Sequence, residues 1–307
     1  MDRSMRIRSA PRADQFALLI VAVGYEERSR HVAEMLSGTS ARKIALAFQS
    51  DGVLSYDDNV RLVEDQGFEI IGVDGRVTEH LSEVLDQLGP DDRHIGVDIS
   101  SFTKFHLAEI VDCLRSRPQM RFSVDFLYSP ASSEGWETHG HPIQVAEPIH
   151  PAFASWVDDP SWPLTAIIGL GVEKNLALGV AEYLDVSSVY SFSPTGSDPG
   201  FDEMGAAANE EFFLADYVAR TSTYDLLEPF DLFARLESLV YGLRPESRIA
   251  IVPLGPKVFA LCALLATLVS GRAATVWRFS SGVLDSPTDV RAAGPIVSLR
   301  VDFGFEE

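Results

Sequence analysis

The chain is poor in cysteine, poor in positive charge and free of long apolar runs, and each shortage removes a class of explanation. Only Cys113 and Cys262 occur in 307 residues, both inside apolar helical stretches, so neither a disulfide framework nor a cysteine-rich zinc site is expected. Lys and Arg number 25 against 45 Asp and Glu, a net charge of −20. Such a surface repels polyphosphate, which argues against duplex nucleic acid and anionic lipid as partners and leaves room for a small anion in a locally positive pocket. The apolar run 258–269 falls short of the roughly eighteen residues of a membrane span and reads as a buried helix. Residues 16–23 follow Arg3, Arg6, Arg8 and Arg12 in the manner of a secretory signal, but they run into Gly24-Tyr25-Glu26-Glu27-Arg28 without a small-residue cleavage site. The expected location is therefore cytoplasmic. Gly-x-Gly-x-x-Gly, the Walker segment Gly-x-x-x-x-Gly-Lys-Ser/Thr and the elbow Gly-x-Ser-x-Gly are also missing, which disfavours dinucleotide, Walker ATPase and serine-hydrolase chemistry. No cofactor is named by these patterns.

What is present is an ordinary globular mix, 46% apolar and 23% charged, arranged as solid apolar strands separated by helical patterns. In the first half, strands are read at 16–23, 43–48, 68–73, 94–99 and 121–128, and helices at 26–36, 59–66, 79–88 and 104–114. Strands apolar on both faces and joined through helices imply a parallel sheet covered on both sides. Residues 129–163 hold six prolines among glycines and serines and read as a connector. Beyond them come strands at 164–170, 186–191, 248–252 and 274–279, and helices at 175–184 and 257–269. A loop is read at 193–205, and a mostly helical stretch at 210–241. The expected class is α/β, two tandem Rossmann-like units with mainly parallel sheets covered by helices on both faces. Unit one spans 1–130, the proline-rich connector 131–163 and unit two 164–307.

The halves resemble each other. Val23-Gly24-Tyr25-Glu26 followed by Val32-Ala33-Glu34-Met35-Leu36 matches Leu170-Gly171-Val172-Glu173 followed by Val180-Ala181-Glu182-Tyr183-Leu184, and Lys104 and Lys257 each open a helix after a strand. Self-similarity of this period points to duplication. In an open parallel sheet ligands gather beyond the carboxyl ends of the strands, and four loops fall there: 24–28, 100–104, 169–174 and 253–257. Each leads into a helix N-terminus, whose unpaired N–H groups and partial positive charge suit a phosphate or carboxylate. The candidate binding residues are Gly24, Glu26, Arg28, Asp98, Ser100, Ser101, Thr103, Lys104, Gly171, Glu173, Lys174, Gly255 and Lys257. A lysine set against the helix dipole at both helix starts wants a bound anion as its reason, although solvent exposure would also explain it. Asp98, amid Ile95, Val97 and Ile99, needs a partner, for which Lys104 or Arg28 would serve. Glu26, Glu27 and Glu173 either complement helix starts or, with Asp98, supply acids and bases. Glu137, His139 and His141 on the connector are too few and too loose for a metal site, so no metal is expected.

The segment Asp98-Ile99-Ser100-Ser101-Phe102-Thr103-Lys104 resembles the Asp-x-Thr-Gly-Gly-Thr-Lys segment of CRISPR-associated Rossmann-fold (CARF) domains, and a tandem of such units is similar to the SAVED sensors of bacterial anti-phage systems. The resemblance implies a cyclic-oligonucleotide sensor in which Ser100, Ser101, Thr103 and Lys104 hold phosphate or ribose opposite loop 24–28. Gly171 to Lys174 and Gly255 to Lys257 repeat the arrangement. Ser101-Phe102 replaces the glycine pair. The expected function is binding of a nucleotide-type or other phosphorylated small anion in a cleft formed by these loops, as a sensor or accessory subunit with a protein effector partner. Residues 97–103 also resemble a degraded phosphoribosyltransferase loop, which keeps a nucleotide-cleaving or phosphoribosyl-transferring enzyme open. A non-catalytic scaffold steered by its charge to a basic protein is a third reading.

Overall fold

The computed structural model describes residues 5–304 except 40, 49, 51, 90–93, 135, 137–141, 156–158, 197 and 281–286; the connector residues Glu137, His139 and His141 thus lie outside the described residues. The chain forms two compact units, one made of residues 3–136 with 287–307, the other of residues 137–286.

The first unit runs β1 (Met5–Arg8), β2 (Leu18–Val23), a 3-10 turn (Glu27–Arg30) continuing into α1 (His31–Met35), β3 (Arg42–Ala47), α2 (Tyr56–Asp65), β4 (Glu69–Gly72), α3 (Val77–Asp86), β5 (His94–Asp98), α4 (Lys104–Arg115) and β6 (Phe122–Tyr128). The second runs β7 (Val145–Pro148), β8 (Leu164–Gly169), α5 (Leu176–Tyr183), β9 (Ser188–Thr195), α6 (Pro199–Ala208), α7 (Glu210–Phe213), β10 (Val218–Asp225), α8 (Pro229–Leu243), β11 (Arg248–Pro253), α9 (Lys257–Val269) and β12 (Thr275–Ser280). A last strand, β13 (Val297–Phe303), returns to the first.

Among the described residues the first sheet has the order β1-β13-β6-β5-β2-β3-β4 and the second β10-β9-β8-β11-β12-β7. The pairs from β6 to β4 and from β10 to β12 are parallel, whereas β13 lies antiparallel to β6 and β1, and β7 antiparallel to β12. Both units are therefore α/β, with mainly parallel, Rossmann-like sheets flanked by helices. Every residue of β2 is buried, as are five of six in β8, which is what a sheet covered on both faces requires. Each of Leu18, Leu19 and Ile20 contributes about 1.5–3 kcal/mol by leaving water. Helix α9 is buried from Val258 to Leu268, hence its lack of a polar stripe.

Three segments differ from the sequence reading. Residues expected in loop 193–205 contribute the end of β9 and the start of α6, begun by Pro199 and capped by Asp198 Oδ1, which accepts from the Gly200 N–H. The helical stretch 210–241 is divided by β10, an edge strand with little apolar content and mostly exposed residues, so no periodicity marks it. Residues 297–303, in which no strand is read from sequence and which are expected in the second unit, form β13 and complete the first sheet, while 145–148, from the expected connector, form β7 and complete the second. The first unit thus takes its antiparallel strand from the far end of the sequence, the second from the residues just before its parallel strands. Charge pairs sit on these strands: Arg300 of β13 is bidentate to Asp125 of β6 (2.6 and 2.9 Å), and Arg278 of β12 is paired with Glu147 of β7. Among the described residues no helix is long and apolar enough to cross a membrane.

Candidate functional site

The strand order reverses between β2 and β5 in one sheet and between β8 and β11 in the other. Crevices for ligands open at such switch points, beyond the carboxyl ends of the strands. The four loops singled out from sequence lie at these two corners, one pair in each unit.

In the first corner, loop 24–28 is held from inside. The Ser29 hydroxyl donates to Ala22 O and accepts from the Gly24 N–H, both at 2.8 Å. Asn59, buried in α2, donates its amide to Gly24 O (2.9 Å) and Glu26 O (2.8 Å). Gly24 leaves room for the facing loop: a Cβ there would come within 3.2 Å of the Ser101 Cβ, a close approach that Ser101 would have to relieve. Arg28 points inward: its side chain is 7% exposed, its Nε lies 2.6 Å from Glu26 Oε2, its guanidinium hydrogen-bonds Ser129 O, and the Tyr128 phenol lies beside it. Burial alone would lower the Arg28 pKa, but Glu26 and Tyr128 outweigh it and the guanidinium is held above its ordinary value. Burial, with Glu26 beside it, pushes the Tyr25 phenol up to about 12.

The facing loop divides its residues between support and display. Asp98 is fully buried at the end of β5, and its Oδ1 accepts from the Ser100 N–H (2.9 Å) and hydroxyl (2.5 Å). The Ser100 hydroxyl oxygen accepts in turn from the Ser129 N–H (2.8 Å), which ties the ends of β5 and β6 together. Asp98 and Ser100, like Arg28, therefore belong to the frame of the corner. Ser100 thus meets one oxygen of the carboxylate for which sequence reasoning had offered Lys104 or Arg28 as partner, and Arg28 pairs with Glu26 instead. Thr103 is the N-cap of α4, its Oγ1 accepting from the His106 N–H, and Lys104 is the first helical residue. Phe102 is buried edge-on to Phe48, on which His106 stacks at 4.5 Å. The N–H groups of Ser101, Phe102 and Thr103 meet no acceptor among the described residues. Around them the buried Ser101 Oγ, Ser129 Oγ and Asn59 Oδ1 make no hydrogen bond. Buried polar atoms without partners are uncommon, and here three gather at one corner.

The second corner repeats the frame. Asn209, also buried, donates to Gly171 O at 2.9 Å, as Asn59 does to Gly24 O, and the two asparagines follow their glycines by 38 and 35 residues. Sequence reasoning missed both; the near-equal spacing is the signal that would have found them. This corner is packed more tightly. The N–H groups of Leu254 and Gly255 both donate to Gly169 O, and a Cβ on Gly255 would fall 2.1 Å from Leu170 O. Gly169 lets the Phe259 ring lie against the end of β8, where a Cβ would meet it at 2.4 Å. The Glu173 carboxylate already lies over Gly171, with Oε2 within 2.5 Å of a Cβ position. Lys174 is exposed and Lys257 opens α9 behind Pro256. An incoming anion would meet the Glu173 charge at Gly171.

No family model matches the chain, and no curated protein matches it. Leucoanthocyanidin reductase of Vitis vinifera, solved as its binary complex with NADPH, is 12% identical over 89% of this chain and 92% of that one, with a TM-score of 0.27. Phosphoethanolamine N-methyltransferase 1 of Haemonchus contortus, solved with phosphoethanolamine and S-adenosylhomocysteine, is 8% identical over 94% of this chain and 88% of that one, with a TM-score of 0.22.

Among the described residues no group of three His, Cys, Asp or Glu side chains could hold a metal ion. Cys113 and Cys262 are both buried, with thiols raised by burial, so neither is an activated nucleophile. The chemistry the first corner offers is hydrogen-bond donation from consecutive amides, a serine hydroxyl and one lysine.

Proposed function

We propose that the first unit binds a nucleotide-type or other phosphorylated small anion at its β2–β5 corner, and that the protein works as a sensor or accessory subunit reporting that binding to a protein effector. The observation that carries the reading is the run of unpaired N–H groups at Ser101, Phe102 and Thr103, placed at a switch point and followed by Lys104. Consecutive amides at the start of a twelve-residue helix combine free donors with the positive end of the dipole, which suits phosphate oxygens. The Ser101 hydroxyl adds a donor, Lys104 a full charge, and Tyr25 and Glu26 on the facing loop suit a sugar or base. Arg28, Asp98 and Ser100 act through the frame and touch no ligand in this reading. The resemblance of residues 98–104 to the CARF segment supports a cyclic oligonucleotide as the nucleotide type and anti-phage signalling as the setting.

The test is calorimetric titration of the protein with mononucleotides, phosphosugars and cyclic oligonucleotides. At least one class should bind, with affinity about tenfold or more lower in Lys104→Ala, as expected for loss of a charge-assisted contact. Lys257→Ala, in the other corner, should bind like the wild type. Binding that is unchanged in Lys104→Ala overturns the assignment, and product formation in the same mixtures, read by mass spectrometry, would make the protein an enzyme instead of a sensor.

A further inference from the structure

Loop 24–28 is shaped from outside as well as from within. The residues leading into β13 lie along it: Asp289 Oδ1 accepts from the Glu27 N–H and Oδ2 from the Ser55 hydroxyl, both at 2.6 Å. The buried Val290 presents its carbonyl to the Arg28 N–H at 2.9 Å, and Arg291 Nε reaches Glu27 Oε2 at 3.2 Å. The same strip then bonds the loop after β6, with Arg291 O accepting from the Ser132 N–H and the Ala293 N–H donating to Pro130 O. Just downstream, Arg300 and Asp125 fix the register of β13.

We infer that residues 289–293 are a clasp on the β2–β5 corner, with Asp289 as its positioning residue. One carboxylate bridges the N–H that begins the 3-10 turn and the hydroxyl of Ser55, whose own N–H donates to Tyr25 O. It therefore sets the path of residues 25–28 from two sides. The clasp follows residues 137–286 in the chain, so the corner is completed only after those residues have been synthesised. Its placement is independent of any ligand. The proposed function is needed only to give the shaped loop a purpose.

Hydrogen exchange of the full chain, with no compound added, tests the clasp. In Asp289→Ala the amides of Glu27 and Arg28 should exchange at least about tenfold faster, while those of Ile95 and Val97 in β5 stay at wild-type rates. Asp289→Asn, which can still accept from Glu27 and hydrogen-bond Ser55, should restore protection to within about threefold of wild type. Unchanged exchange at Glu27 in Asp289→Ala, equal acceleration of β5, or an Asn variant that behaves like Ala would each overturn the inference. Should Asp289→Ala fail to fold, Ser55→Ala removes one arm of the bridge and should show a smaller acceleration at the same two amides; no acceleration there counts equally against the clasp. Failure of all nucleotides to bind would leave this result standing, so the two proposals fall separately.

Discussion

Arg28 is where a ligand-binding and a structural role make opposite predictions. Its guanidinium is 7% exposed and Glu26 is 18% exposed, so the two deletions are not equivalent. Glu26→Ala strands a buried cation that keeps only Tyr128 and the 3.4 Å contact to Ser129 O. Leaving a buried charge uncompensated costs about 3–5 kcal/mol, and the residual exposure of Glu26 places this case near 3. Arg28→Met leaves a carboxylate that can rehydrate and fills much of the vacated volume with methylenes, for a cost of about 1–2 kcal/mol. Because the damage in Glu26→Ala is the stranded cation itself, the double variant should cost about as much as Arg28→Met alone, about 3 kcal/mol less than the two single costs added together. At about 2–4 °C per kcal/mol for a unit of this size, Glu26→Ala should lower Tm by about 6–12 °C and Arg28→Met by about 2–8 °C. Scanning calorimetry, with hydrogen exchange in β5 to assign the transition to the first unit, measures all four proteins. If Arg28→Met is at least as damaging as Glu26→Ala, or if neither shifts Tm by more than about 1 °C, the pair is no keystone and Arg28 is available to a ligand.

Two further perturbations follow from the geometry. Gly255→Ala should cost about 2–3 kcal/mol in urea unfolding, because its Cβ would meet a backbone carbonyl at 2.1 Å, whereas Gly171→Ala should cost under about 1 because the nearest obstacle, Glu173 Oε2, ends a flexible side chain; the reverse order would contradict the packing described for the second corner. Burial pushes the Asp125 carboxyl up, but hydrogen bonds from Arg300, His94 and the Ala13 N–H outweigh it and hold it down at about 2. A carboxyl depressed on folding stabilises the protein above its unfolded pKa of about 3.9 and loses that contribution as pH falls toward 2, here about 2–3 kcal/mol at most. Asp125→Asn should therefore be less stable at pH 7 and show a flatter acid limb between pH 4 and 2. An acid limb as steep as that of the wild type would place the pH dependence elsewhere.

How much of this was legible follows from what kind of fact each feature is. Parallel strands buried on both faces announce themselves as apolar runs, so β2, β5, β8 and β11 and the loops beyond them could be placed from local pattern alone. The choice of pairing partner is not local. Val297, Leu299, Val301 and Phe303 alternate with Ser298, Arg300 and Asp302 and so mark a strand, but nothing within those seven residues says that β6 receives them. The Asp125–Arg300 pair holds that information, and it spans 175 residues.

Side-chain direction was the other hidden quantity. Arginine, serine and aspartate near a helix start are the residues that would bind a phosphate, and they are also the residues that can neutralise one another under the loop. Burial decides between the two, and it placed Arg28, Ser100 and Asp98 in the frame while leaving the amides of Ser101, Phe102 and Thr103 unpaired. The second corner makes the same point by contrast. Asn209 reproduces the grip of Asn59 on a glycine carbonyl, yet Gly255 is jammed against Leu170 O and the Glu173 carboxylate lies over Gly171. Two corners built on one frame thus differ in their local charge, unpaired amides at the first and a carboxylate over Gly171 at the second, and it is that difference, more than the strand order they share, on which the proposed preference for an anion at the first corner rests.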